Sequence, residues 1–225
     1  MNDKDGLANS FNQQGNIRLA QSAPEEALSL HRKAEEIARQ LGLKEPLAHS
    51  IGNQALDQDA MGNSALALSL LEQETLLWEE MRDLESVAVS LGNRGAILQE
   101  LGEAEQALLL YQRQEGIARD HDFPEVLAMS LGNQAVIQLG RSAPEPALAL
   151  GTQQIQIYRQ IQKLDSLAIA LTNRAEVFIV LRRPAEAKRD LDEASALATE
   201  HRLSRLDEPL AELSERLASL DVQSR

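Results

Sequence analysis

The residues of this chain whose types suit catalytic or metal chemistry are its four histidines and one compact polar trio. Asp120-His121-Asp122 sets an imidazole between two carboxylates, donor types that can hold a metal or move a proton. His31, His49, His121 and His201 are otherwise scattered, with no His-x-x-x-His pair and no local cluster with carboxylates. The chain has no Cys, which removes thiolate metal sites and disulfides together. No glycine-rich phosphate loop follows a strand-like segment. The expectation is therefore no catalytic residue, no metal, no cofactor and no enzyme activity.

The chemistry that does recur is amide hydrogen bonding. Ile51-Gly52-Asn53, Leu91-Gly92-Asn93, Leu131-Gly132-Asn133 and Leu171-Thr172-Asn173 stand 40 residues apart, and Phe11-Asn12-Gln13 is a weaker first member. An Asn amide carries donor and acceptor, so it can pair with a backbone C=O and N–H together.

The elements that must position these residues follow from the same period. A unit of 40 residues runs five times without insertion, over about 5–44, 45–84, 85–124, 125–164 and 165–204. Such a period signals stacked units, each burying its apolar face against its neighbours. One column is large and apolar: Phe11, Ile51, Leu91, Leu131, Leu171. Four residues on, the column is small (Gly15, Ala55, Gly95, Ala135, Ala175), and twelve later it is always Ala: Ala27, Ala67, Ala107, Ala147, Ala187. Residues at i and i+4 share one helical face, so each first helix offers a large side chain beside a bare spot. Gly62 and Gly102 mark turns, Pro24, Pro144 and Pro184 suit the start of second helices, and Ser22 and Ser142 suit their caps. Helices are predicted over 5–20, 24–41, 45–61, 64–81, 85–101, 104–119, 124–139, 144–162, 165–181 and 184–201. Beyond them Leu206, Leu210, Leu213, Leu217 and Leu220 form one apolar stripe along a helix in residues 205–225. That helix caps the last repeat or, on the other reading, pairs two copies of a chain otherwise expected to be monomeric.

A helical hairpin with large apolar, small after four, Gly at the turn and Ala twelve later resembles the tetratricopeptide repeat (TPR). The 40-residue length is similar to the repeats of kinesin light chains, of Leu-Gly-Asn adaptors and of arrays attached to bacterial signalling proteins; Pro124–Ala135 resembles the start of a kinesin light chain repeat. The resemblance implies an all-α, right-handed α-solenoid of five hairpins plus a C-terminal capping helix, with residues 1–204 as the array. It also implies a concave groove lined by the first helices. The chain departs from the family at Gln54, Arg94, Gln134 and Arg174, where Leu is usual. Gly52, Gly92, Gly132 and Thr172 stand where arrays that clamp a carboxylate carry Lys.

Within that groove Asn53, Asn93, Asn133 and Asn173, with Gln13, are expected to form a ladder. Neighbouring helices pack roughly 8–10 Å apart and an extended peptide rises about 3.3 Å per residue, so a rung meets about every third ligand residue. Gly before the Asn would then clear the ligand's path, although Gly inside a helix costs about 1 kcal/mol relative to Ala. The alternative is structural, with Asn bonding neighbouring helices and Gly serving tight packing. One turn from the rungs stand His49, Val89, Met129, Val136, Ile169 and Glu176, the candidates for specificity. Met129, Val136 and Ile169 predict an apolar ligand surface toward the later repeats, and Asp59, Glu100 and Glu176 would attract a basic residue.

Charge narrows the partners. Twenty-two Lys and Arg against 35 Asp and Glu give a net charge of −13, which repels nucleic acid and anionic membrane. No apolar run reaches the roughly 18 residues of a membrane span, and the expected location is cytoplasmic. These features predict a binding scaffold for an extended peptide or protein segment. A regulatory sensor arm whose curvature answers to a peptide, and a self-assembly module, are the other readings.

Overall fold

A computed structural model of the chain describes residues 4–223. Among these, every regular element is helical: α1 (Lys4–Ala20), α2 (Pro24–Leu41), α3 (Lys44–Ala60), α4 (Ser64–Met81), α5 (Leu84–Glu100), α6 (Ala104–Asp120), α7 (Pro124–Gly140), α8 (Pro144–Gln160), α9 (Leu164–Val180), α10 (Pro184–His201) and α11 (Asp207–Gln223), with a 3-10 turn at Ser204–Leu206 before the last. The ten repeat helices lie within two residues of their expected spans.

Turns of two or three residues produce this regularity. Every turn between repeat helices contains one left-handed residue, recurring every 20 positions at Ser22, Gly42, Gly62, Arg82, Gly102, Asp122, Ser142, Gln162 and Arg182, and Arg202 continues the series after α10. The next N–H reaches back across the helix end, as in Ala23 to the Arg18 carbonyl (3.0 Å), Leu43 to Ala38 (2.9 Å) and Asn63 to Gln58 (2.8 Å). These bonds satisfy carbonyls that a helix end leaves open. The expected caps at Ser22 and Ser142 are corrected accordingly. Both serines close the preceding helix, while Ala23 and Ala143 occupy the N-cap positions without a side-chain bond. Pro24, Pro124, Pro144 and Pro184 stand in first helical turns, where the missing N–H is harmless.

The chain divides into two compact units between Arg113 and Gln114, inside α6. In the first unit α1 packs on α2, α2 on α3, α3 on α4 and α4 on α5. Its core follows the repeat columns: Ala27, Ala67 and Ala107 are fully buried, and Ala55, Leu71 and Ile97 form one apolar cluster. In the second unit α7 packs on α8, α8 on α9, α9 on α10 and α10 on α11. There Leu171, Ile155, Tyr158 and Ala194 make one cluster.

The leucine stripe of α11 packs inside the second unit. Leu213, with Leu210, Leu217 and Leu220 beside it, covers Ala175, Phe178, Ala187 and Leu191. Leu206 packs on Ala168 and Ala198. The stripe therefore packs on the last hairpin. No described helix is long and apolar enough to cross a membrane.

Candidate functional site

One core position is solved differently in successive repeats, and it shapes the site. A second-helix residue projects at the bare spot of its own first helix, and in the first two repeats it also meets a residue 26 places further on. In the first unit His31 lies over Gly15, where any β-carbon would collide with the imidazole, and bonds Asp57. Leu71 packs with Ala55 and Ile97. Tyr111 lies over Gly95 in the same way, and burial, with Glu100 nearby, pushes its phenol up to about 12. In the second unit Leu191 fills the equivalent place beside Ala175. The fourth member of the column is Gly151, and it fills nothing.

A cavity of about 60 Å³ remains where that side chain would stand. Gly151 and Ala147 of α8 form its floor, Ala135 and Val136 of α7 one wall, and Asn173 and Val177 of α9 the other. It opens beside two exposed residues, Val136 (42% exposed) and Asn173. Ala135 is half-buried there, whereas Gly15, Ala55, Gly95 and Ala175 are buried. Arg174 passes within 3.9 Å of the position a β-carbon on Gly151 would take. Its guanidinium then donates to both Asp190 oxygens at 2.7 and 2.8 Å.

The expected site residues divide between the units. In the first, Gln13, His49 and Val89 are exposed and Asn53 and Asn93 half-buried. His49 stacks edge-on against Trp78 with ring centroids 4.9 Å apart. In the second, Met129, Val136 and Asn173 are exposed, and Asn133, Ile169 and Glu176 are half-buried. Within the described residues, the side-chain amides of Asn53, Asn93, Asn133 and Asn173 have no hydrogen-bond partner.

Neighbouring polar side chains on the same helices are engaged. Ser50 Oγ donates to Asn12 Oδ1 (3.1 Å) and Ser90 Oγ to Glu74 Oε2 (2.8 Å). The residues replacing the family's Leu tie helices together: Gln54 Nε2 donates to Glu35 (2.8 Å), and Gln134 Nε2 to Glu115 (2.6 Å). Glu176 accepts from Arg216 Nη1 of α11 at 2.9 Å, so the acid expected to attract a basic ligand residue already has a cation. Asp59 accepts from Ser64 Oγ (2.9 Å).

The glycine before the Asn has a role different from the expected one. Any β-carbon on Gly52 would collide with the Glu74 carboxylate, and one on Gly132 with the Gln154 amide. The bare backbone there admits a side chain of the following helix, not a ligand. Burial raises the Glu74 pKa above its ordinary value, against bonds from Ser90 and Trp78 that lower it.

Sequence reading did not bring forward Gly151, Asp190 or the His31–Asp57 pair. The available signal was the column His31, Leu71, Tyr111, Gly151, Leu191, in which one member lacks a side chain. Among the described residues no group of three or more His, Asp or Glu could hold a metal.

Comparison with known proteins gives no matching family model and no matching curated relative. Solved structures do match. BtubC (BKLC) from P. vanneervenii superposes with a TM-score of 0.74 at 18% identity, over 88% of this chain and 82% of that one. The kinesin light chain TPR-like repeats of Podosopora anserina give 0.64 at 18%, over 89% and 99%. The apo quorum sensor NprR from B. thuringiensis gives 0.75 at 19%, over 94% of this chain and 58% of that one. With its 40-residue helical hairpins, the chain has the all-α solenoid fold of tetratricopeptide-repeat proteins.

Proposed function

We propose that this chain is a non-enzymatic scaffold that holds an extended peptide segment along the face carried by its first helices. The observation that carries this reading is that the amides of Asn53 and Asn93 in one unit, and of Asn133 and Asn173 in the other, have no partner among the described residues. An Asn that holds helices together has a partner, as Gln54, Gln134 and Ser90 do. An unpaired amide in a half-apolar setting is instead suited to main chain, whose C=O and N–H it satisfies together. Exposed Val89 in the first unit, and Met129 and Val136 in the second, flank these amides and offer apolar contact. The likeness to BtubC and to the kinesin light chain repeats supports the helical-repeat fold on which this reading rests.

The test is selection from a random 12-residue peptide library against the full chain, followed by affinity measurement on the enriched peptides. Two double variants are compared with wild type: Asn53→Ala with Asn93→Ala, and Asn133→Ala with Asn173→Ala. A loss of tenfold or more in affinity from at least one double variant, with the melting temperature within about 2 °C, supports the ladder. Unchanged affinity in both, or a fall of many degrees in melting temperature, sinks it.

A further inference from the structure

The cavity at Gly151 is the feature of the second unit that core packing leaves unexplained. Its place in the repeat is a core place: His31, Leu71, Tyr111 and Leu191 fill the equivalent positions. It is nevertheless open at Val136 and Asn173, on the face that carries the candidate rungs. Its volume of about 60 Å³ is several times the roughly 10–15 Å³ that a single water needs. The walls are mainly apolar, with Ala135, Val136, Leu139, Ala147 and Val177, and the amides of Gln154 and Asn173 stand among them. Both charges at the mouth are already neutralised, Arg174 by Asp190 and Glu176 by Arg216. An ionised group entering there would lose its hydration without gaining an opposite charge.

We propose that this cavity is a specificity subsite for one aliphatic side chain, of valine to leucine size, presented by a bound peptide. The peptide would supply in trans the side chain that Gly151 lacks, and it would fill the gap that Leu71 and Leu191 fill in cis. The unpartnered Asn173 amide at the rim is placed to bond the main chain of that same peptide residue, which fixes the register of the segment. The subsite rests on the peptide-scaffold reading above and adds to it a chemical identity for one ligand position.

The test uses the full chain with Gly151→Leu, which restores the residue found at 71 and 191, and Gly151→Ala. The latter methyl comes no closer than 3.9 Å to Arg174, so it narrows the cavity even if the larger side chain perturbs folding. Peptides enriched on wild type from the random 12-residue library are sequenced and titrated against each variant. The expected result is a Val, Ile or Leu at one fixed position, replacement of which by Ala or Asp weakens binding tenfold or more. Gly151→Leu weakens the same peptides by a similar factor, Gly151→Ala weakens them less, and neither variant melts below wild type. Enriched peptides with no fixed aliphatic position, or peptides bound equally by a folded Gly151→Leu or Gly151→Ala chain, overturn the subsite and leave the scaffold standing. Failure of wild type to enrich any peptide overturns both.

Discussion

His31 Nδ1 and Asp57 Oδ2 lie 2.6 Å apart, with both side chains at 0% exposure. The other imidazole nitrogen faces the Asn12 carbonyl oxygen and Asn16 Oδ1, each at 3.2 Å. Removing one member of such a pair strands its partner in the core, at a cost of about 3–5 kcal/mol, whereas replacing both with apolar residues of similar volume is often neutral or stabilising. The next repeat shows the apolar solution, with Leu71 against Ile97. Asp57→Ile alone and His31→Leu alone are therefore each expected to destabilise the chain by several kcal/mol. The double variant should recover most of that loss. Urea denaturation of the four proteins gives the coupling directly, and additive losses would show that the pair is not a unit.

The turns make a second prediction with opposite signs at equivalent positions. Gln162 has φ 57° and Gly102 has φ 79°. A left-handed backbone costs an L-residue about 1–2 kcal/mol, partly offset because glycine gains freedom in the unfolded chain. Gln162→Gly should stabilise by about 0.5–1 kcal/mol and Gly102→Ala should destabilise by about 1 kcal/mol. Nothing lies within 4 Å of the β-carbon position at Gly102, so backbone conformation alone decides the sign. Denaturation midpoints moving together in one direction would refute the assignment.

These turns also show why helix positions were legible in the sequence and site details less so. The 40-residue columns are local and repeat, so the apolar periodicity placed ten helices to within two residues. The left-handed positions repeat as faithfully, but they are occupied by Ser, Arg, Asp and Gln as well as Gly, and Ser22 reads as a helix cap until its backbone is seen. The cavity depends on Gly151 meeting Ala135 and Val177, three small or short residues in three different helices. No residue signals that alone. Gly52 and Gly132 could each serve a ligand or a neighbouring helix, and only the positions of Glu74 and Gln154 decide for the helix.

The C-terminal helix supplies a third prediction. Leu213 is buried against Phe178 and Leu191, so its stripe keeps water from the last hairpin. Terminal units of a solenoid need such a cover for solubility. Leu213→Asp should lower stability by about 3 kcal/mol or more, since it removes a buried side chain and leaves an unpaired charge in its place. Thermal melting reads the loss, and light scattering should show self-association of the uncovered face. A variant that melts like wild type would mean that α11 is not a cap.

Glu74 carries the last prediction, on pH. Burial raises its folded-state pKa above the ordinary 4.5, more than the hydrogen bonds from Ser90 and Trp78 lower it. Between 4.5 and that raised value the native chain binds more protons than the unfolded chain, so stability falls as pH rises through this window. Above the raised value the full penalty of the buried charge is present. Gln154 holds the equivalent place in the second unit, against Gly132 as Glu74 stands against Gly52. Glu74→Gln keeps the shape and an oxygen to accept from Ser90 Oγ, while removing the charge. It should stabilise the chain at pH 7 by about 1 kcal/mol or more and leave stability near pH 4 unchanged. Urea midpoints of both proteins at pH 4, 5.5 and 7 measure this, and an equal gain at every pH would show that shape, not charge, was responsible.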